Sequence, residues 1–164
     1  MQTIIPLVGI ALFIIAAYSD IKTFRIPNAL VAAVALLGVT RLIVNGDPSI
    51  ALYTVGASVG LLVVGFLLFW QGFVGGGDAK LLTASTLLIG HHDLFSFLVV
   101  MSICGALISL AALVIHRSLP LYAGPRLTVL LPKAQLAVPY GVAIAAAGGV
   151  TLLLQSPLAT QFIG

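Results

Sequence analysis

Glutamate is absent from this 164-residue chain, and the acidic inventory stops at Asp20, Asp47, Asp78 and Asp93. Charged residues make up only 7% of the sequence, against roughly 25% in a soluble domain. The polar coat of a water-soluble globule therefore cannot be assembled from it. The lone cysteine, Cys104, excludes an internal disulfide and a multi-cysteine zinc site. It sits in an apolar run beside Ser102, Ile103 and Gly105 and reads as a small buried hydrophobe. The length leaves no room for a large extramembrane domain, a nucleotide-binding fold or a separate substrate module, so one domain over residues 1–164 is expected. Any chemistry that uses carboxylates has four candidates.

What the chain does have is apolar sequence: 61% of residues are hydrophobic and the mean hydropathy is +1.25. It is expected to be an integral membrane protein. The pI of about 9.4 does not point to a nucleic-acid partner, because seven basic residues spread over such a chain serve better as topology signals. The first apolar run has no basic segment before it and no small-residue cleavage site after it, so a removed signal peptide is not expected.

A bilayer core about 30 Å thick takes about 20 apolar residues of helix. Runs of that kind occupy residues 4–19, 27–44, 50–70, 94–115 and 138–154, with a shorter one at 81–90. The reading is all-α, with six transmembrane helices. Between the runs lie a short basic turn closed by Pro27, the Asn45-Gly46-Asp47-Pro48 turn, a glycine-rich stretch at 71–77 and the polar break His91-His92-Asp93. The connection from His116 to Ala137 contains Pro120, Pro125 and Pro132 and is not expected to form one regular helix.

Charge supports the count. With six spans, Lys22, Arg25, Lys80, Arg117, Arg126 and Lys133 share one side, and Arg41 alone falls on the other. The positive-inside rule then puts both termini outside and the basic connections in the cytoplasm. Omitting the short fourth run destroys that asymmetry. Yet residues 77–90 give only about 21 Å of helix. The segment must start below the membrane surface, lie in thinned bilayer, or continue past His91. The first option sinks the glycine stretch to the cytoplasmic boundary, where irregular backbone is tolerated only if protein buries it or water lines it.

Asp20 closes the first run and Asp78 opens the fourth, on the same side and at similar depth. Two carboxylates about 5 Å apart at an effective dielectric near 20 repel by roughly 3 kcal/mol, so one holds a proton near neutral pH while the other is ionised. Peptide hydrolysis by a carboxylate pair needs that arrangement: one member deprotonates water, the other polarises the scissile carbonyl. The glycines before Asp78 would let an extended substrate strand approach the backbone. Simpler readings stand beside this one. Asp78 suits a helix N-terminus, Asp20 could pair with Lys22 or Arg25, and glycine-rich loops often only connect helices. His91-His92-Asp93 makes a poor metal site, since adjacent residues on a short loop point different ways. Asp47 reads as a turn residue, His116 as a helix C-terminal cation, and Gly105 and Gly148-Gly149 as close-packing positions.

The segment from Tyr18-Ser19-Asp20-Ile21-Lys22 through Arg25-Ile26-Pro27-Asn28 resembles the first catalytic segment of the prepilin leader peptidases. Gly75-Gly76-Gly77-Asp78-Ala79-Lys80-Leu81 is similar to their GxGD segment, and Val138-Pro139-Tyr140-Gly141 to the opening of their final span. The resemblance implies a six-span aspartic endopeptidase of the cytoplasmic membrane, free of metal and cofactor. Its partners would be the lipid bilayer and a type IV pilin-like precursor, whose short basic leader is cut at the cytoplasmic face. In that reading Asp20 and Asp78 are the catalytic acids, Gly75 and Gly77 shape the site, and Arg25, Pro27, Asn28 and Lys80 are positioning residues. The paired CxxC insert of the larger, methylating members has no counterpart here, so the chain resembles the short branch associated with tight-adherence (Flp-type) pili. A preflagellin peptidase-like enzyme, or a proton-coupled transporter or channel using the same two acids, remains the alternative.

Overall fold

The computed structural model describes residues 4–122 and 140–156, with 115–122 described by backbone alone. The side chains of His116 and Arg117, and residues 123–139 with Arg126, Lys133, Val138 and Pro139, lie outside the described residues. Within them every regular element is a helix: α1 (Ile4–Thr23), α2 (Asn28–Asn45), α3 (Pro48–Trp70), α4 (Gly76–Ile89), α5 (Leu94–Tyr122) and α6 (Tyr140–Gln155). Four of them, α1, α2, α3 and α5, are long and apolar enough to cross a bilayer. They carry exposed side chains such as Ile14, Ile43, Leu52 and Leu107, as expected of surfaces that face lipid rather than water. The chain is a helical membrane protein.

The two shortest helices, α4 and α6, occupy the middle. Helix α4 packs on α2, α3 and α6, and α6 packs on α1 and α5 as well. Buried Phe13, Leu81, Leu88, Phe97 and Leu152 form the core between them. This arrangement removes one of the three options for the short fourth segment. Helix α4 has 14 residues and ends at Gly90, which has φ +92°, so it does not continue past His91. Neighbouring helices sheathe it, and its buried polar groups find protein partners.

Those partners are clearest at its C-terminal end. Arg41 of α2 donates through Nη1 to the carbonyls of Leu88 and Ile89 and to Gln155 Oε1 (2.8 Å), while Gln155 Nε2 donates to Ile89 O (3.0 Å) and to Asp93 Oδ2. The last carbonyls of a helix have no intrahelical donor, and inside a membrane no water replaces it. Arg41 is thus a structural tie as well as a charge on the sparsely basic side. The His91 and His92 rings lie tilted at 37° with centroids 4.0 Å apart, and His91 Nδ1 lies 3.1 Å from Thr54 Oγ1. Asp47 is the N-cap of α3: its Oδ1 accepts from the N–H of Ser49 (2.8 Å) and of Ile50. These bonds favour the carboxylate and hold its pKa below the ordinary value, the Ser49 N–H contributing most.

Two boundaries differ from expectation. Helix α5 runs to Tyr122 and takes Pro120 into its last turn, although a proline there withholds its N–H from the helical ladder. Pro27 stands just before the first residue of α2, and its carbonyl accepts from the N–H of Leu30 and Val31.

Small residues set the close crossings. A Cβ on Gly38 would stand 2.8 Å from the backbone of Leu87 and Leu88, and one on Gly148 would meet the Phe13 ring at 2.5 Å; Gly149 and Gly56 have nothing within 4 Å. Gly38→Ala should therefore destabilise the protein by about 1–3 kcal/mol through overpacking of α2 on α4. Gly56→Ala should be neutral or slightly stabilising, because alanine is the better helix former. Thermal unfolding in detergent checks the contrast; equal effects at both positions would contradict it. Arg41→Met should cost about 1–3 kcal/mol by taking the side-chain donor from the Leu88 carbonyl, and an unchanged unfolding midpoint would remove Arg41 from this role.

Candidate active site

The end of α1 and the start of α4 meet at the same end of the bundle, opposite Arg41. Helix α1 carries Asp20 in its final turn, four residues beyond buried Ala16 and on the same helical face. Asp20 is therefore turned into the bundle and is only 4% exposed. The helix stops because Phe24 adopts φ +50°, an unusual conformation for a bulky residue. The Ser19 and Thr23 hydroxyls both donate to the Arg25 carbonyl, at 3.0 and 3.1 Å, and fix the reversal. Ile26 is thereby driven inward against Gly77 and Gly141.

Asp78 is the third residue of α4. Its carboxylate reaches back to the N–H of Gly75, the N-cap, as an acid at that position commonly does. A Cβ on Gly75 would lie 2.9 Å from Asp78 Oδ2, one on Gly76 3.2 Å from the Phe69 ring, and one on Gly77 only in ordinary contact with Ile26 at 3.5 Å. Asp78 is half-buried and close enough to Asp20 for the two charges to act on each other. The two carboxyls share a cavity of about 320 Å³ whose wall also includes Arg25, Asn28, Gly75 and Gly77.

Six of the eight residues singled out from the sequence thus surround one space. Pro27 and Lys80 do not line it. Pro27 precedes α2, and Lys80 Nζ donates to Asn28 Oδ1 at 3.3 Å on the exposed side. Asn28 acts as an acceptor for Lys80 and makes no side-chain cap for α2. Lys22 lies over the Tyr18 ring, 5.8 Å from its centroid. The partner of Asp20 is the first turn of α6: the Val142 N–H donates to its Oδ2 at 3.1 Å. The free N–H groups and positive end of a helix suit a carboxylate.

This contact makes Gly141 part of the site. A Cβ there would fall 2.7 Å from Asp20 Oδ2 and 2.8 Å from Ile26 Cδ1. Sequence reasoning picked out the Val138-Pro139-Tyr140-Gly141 segment without a role for it. The signal was a glycine at the start of an apolar run, and its meaning depends on a residue 121 positions earlier. The His91-His92-Asp93 break lies at the other end of the bundle, and no cluster of three metal-ligating side chains occurs among the described residues.

Chemically, the site is a recessed pair of carboxyls, one braced by the backbone of α6 and the other by the backbone before α4. Comparisons with known proteins cover two of the three segments that build it, the end of α1 and the start of α4. Prepilin peptidase EppA of Methanothermobacter thermautotrophicus is 40% identical over 78 residues, a match covering 45% of this chain and 20% of that protein. The chain thus aligns with about a fifth of the length of this relative. No solved structure matches it. Residues 7–110, which contain both aspartates and the glycine-rich segment, match the type IV leader peptidase family, and the chain belongs to that family.

Proposed function

We propose that this protein is a membrane-embedded aspartic endopeptidase that removes the short leader from type IV pilin-like precursors, with Asp20 and Asp78 as its catalytic acids. The observation that carries the reading is the shared cavity, in which the only two carboxyls at this end of the described bundle act on each other. The pair holds one proton. Its ionised member takes a proton from water, whose oxygen attacks the scissile carbonyl; the protonated member polarises that carbonyl. Collapse of the tetrahedral intermediate breaks the C–N bond, and the departing amine takes its proton from the carboxyl that had deprotonated the water.

Lys22, Arg25 and Lys80 lie at this end of the bundle, which favours the cytoplasmic face for it and the opposite face for both termini. Gly75 lets the Asp78 carboxylate fold back, and Arg25 and Asn28 present polar groups to a substrate strand. Pro27 and Lys80 act from outside the cavity, the first by starting α2 and the second through Asn28. The precursors are taken to be of the Flp type because the chain resembles the short, peptidase-only branch of the family.

Asp20→Asn and Asp78→Asn should each lower leader removal from a co-expressed pilin precursor by about 10³-fold or more while the protein still inserts. Either variant processing precursor at the normal rate would exclude the dyad. Gly141→Ala puts a methyl where the Asp20 carboxylate lies. A displacement near 1 Å can cost about 10²-fold in rate, so kcat should fall by that order with a smaller change in KM. An unchanged kcat would show that α6 does not position Asp20.

A further inference from the structure

Helices α1, α2, α3 and α5 fence the short central pair, but the fence has a gap. Helix α3 packs on α4 and α5 packs on α6, whereas α4 and α5 touch only slightly. A cavity of about 430 Å³ fills the opening, walled by residues such as Leu68, Leu82, Met101, Ala143 and Ile144. On α5 the lining is Met101 together with Ser102, Gly105, Ala106 and Ser109, the last four a helical stripe of small side chains. The neighbouring stripe, Ile103, Leu107, Leu110 and Val114, carries large, exposed apolar groups. The result is a trough with a bulky outer lip.

One wall residue is charged, and it is Asp78, which also lines the cavity shared with Asp20. The trough is thus continuous with the carboxyl pair. Its volume is in the range of ligand-binding clefts, and its wall is mostly apolar, with Ser102, Ser109 and Tyr140 as the neutral polar residues.

On the reading of the chain as a leader peptidase, we infer that the trough between the α3/α4 and α5/α6 pairs receives the apolar helix of the precursor that follows the scissile bond. Membrane helices associate through close packing and not through water exclusion, and small residues permit that approach. The stripe from Ser102 to Ser109 supplies a packing surface for a helix, and Asp78, common to the trough and the carboxyl cavity, meets the peptide bond preceding it. The exposed basic residues at that end remain outside the trough.

The test compares two substrates in vesicles: a full-length pilin-like precursor and a soluble peptide that spans the leader and scissile bond but lacks the helix. Ser102→Leu and Ala106→Leu fill the trough from positions exposed on α5. Each should raise KM for the precursor by roughly tenfold more than for the peptide, the scale of a helix-packing loss. Equal effects on both substrates, or none on either, would overturn the inference. Should the leucine variants fail to fold, Ala106→Cys in a Cys104→Ser background gives an independent reading. It should crosslink to cysteines placed at every third or fourth position of the precursor helix. Crosslinks to residues 123–139 of the same chain or to a second copy, or none at all, would refute it. Failure of the peptidase reading itself looks different: the unaltered protein would then cleave neither substrate.

Discussion

A helix of 14 residues reaches only about two-thirds of the way across a bilayer core, and its polar ends must find protein there. Much of this structure follows from that constraint. Helices α4 and α6 are central because they are short. The longer helices supply the lipid-facing surface, and the recess left at one end becomes a place where carboxyls can sit close to water. Arg41 and Gln155 meet the demand at one end of α4. At the other, Asp78 and the Gly75 N–H satisfy each other.

The same constraint brings Asp20 and α6 together. A carboxyl facing inward from α1 needs hydrogen-bond donors, and the first turn of α6 has N–H groups with no partner of their own. Each supplies what the other lacks, provided that no side chain intervenes, and Gly141 meets that condition. Ile26 fills the apolar space beneath, held by the strained turn at Phe24 and by the hydroxyls of Ser19 and Thr23. The site is accordingly assembled from three helix ends that are remote in sequence and adjacent in space.

The sequence made the spans legible because apolar runs of that length have few other uses, and the aspartates legible because only four acids exist. The glycine segment announced a close approach, though the closest one at the site is at Gly141 and not at Gly77. What could not be read were contacts set by packing. Arg41 reads as a stray charge until Gln155, 114 residues away, closes on it. Asn28 and Lys80 read as separate positioning residues, but in the fold the Asn28 amide oxygen accepts from Lys80. The seven extra residues of α5 were hidden by Pro120, a residue that ordinarily argues against helix.

The account depends on the Asp20 and Asp78 side chains meeting in the recess. Replacing both by cysteine, in a Cys104→Ser background that leaves no other thiol, allows a short bis-thiol reagent to probe their separation in the membrane. Efficient bridging within a single chain is the predicted result. Modification of each thiol separately, with no bridge at any reagent length able to fit the cavity, would contradict the account at its base.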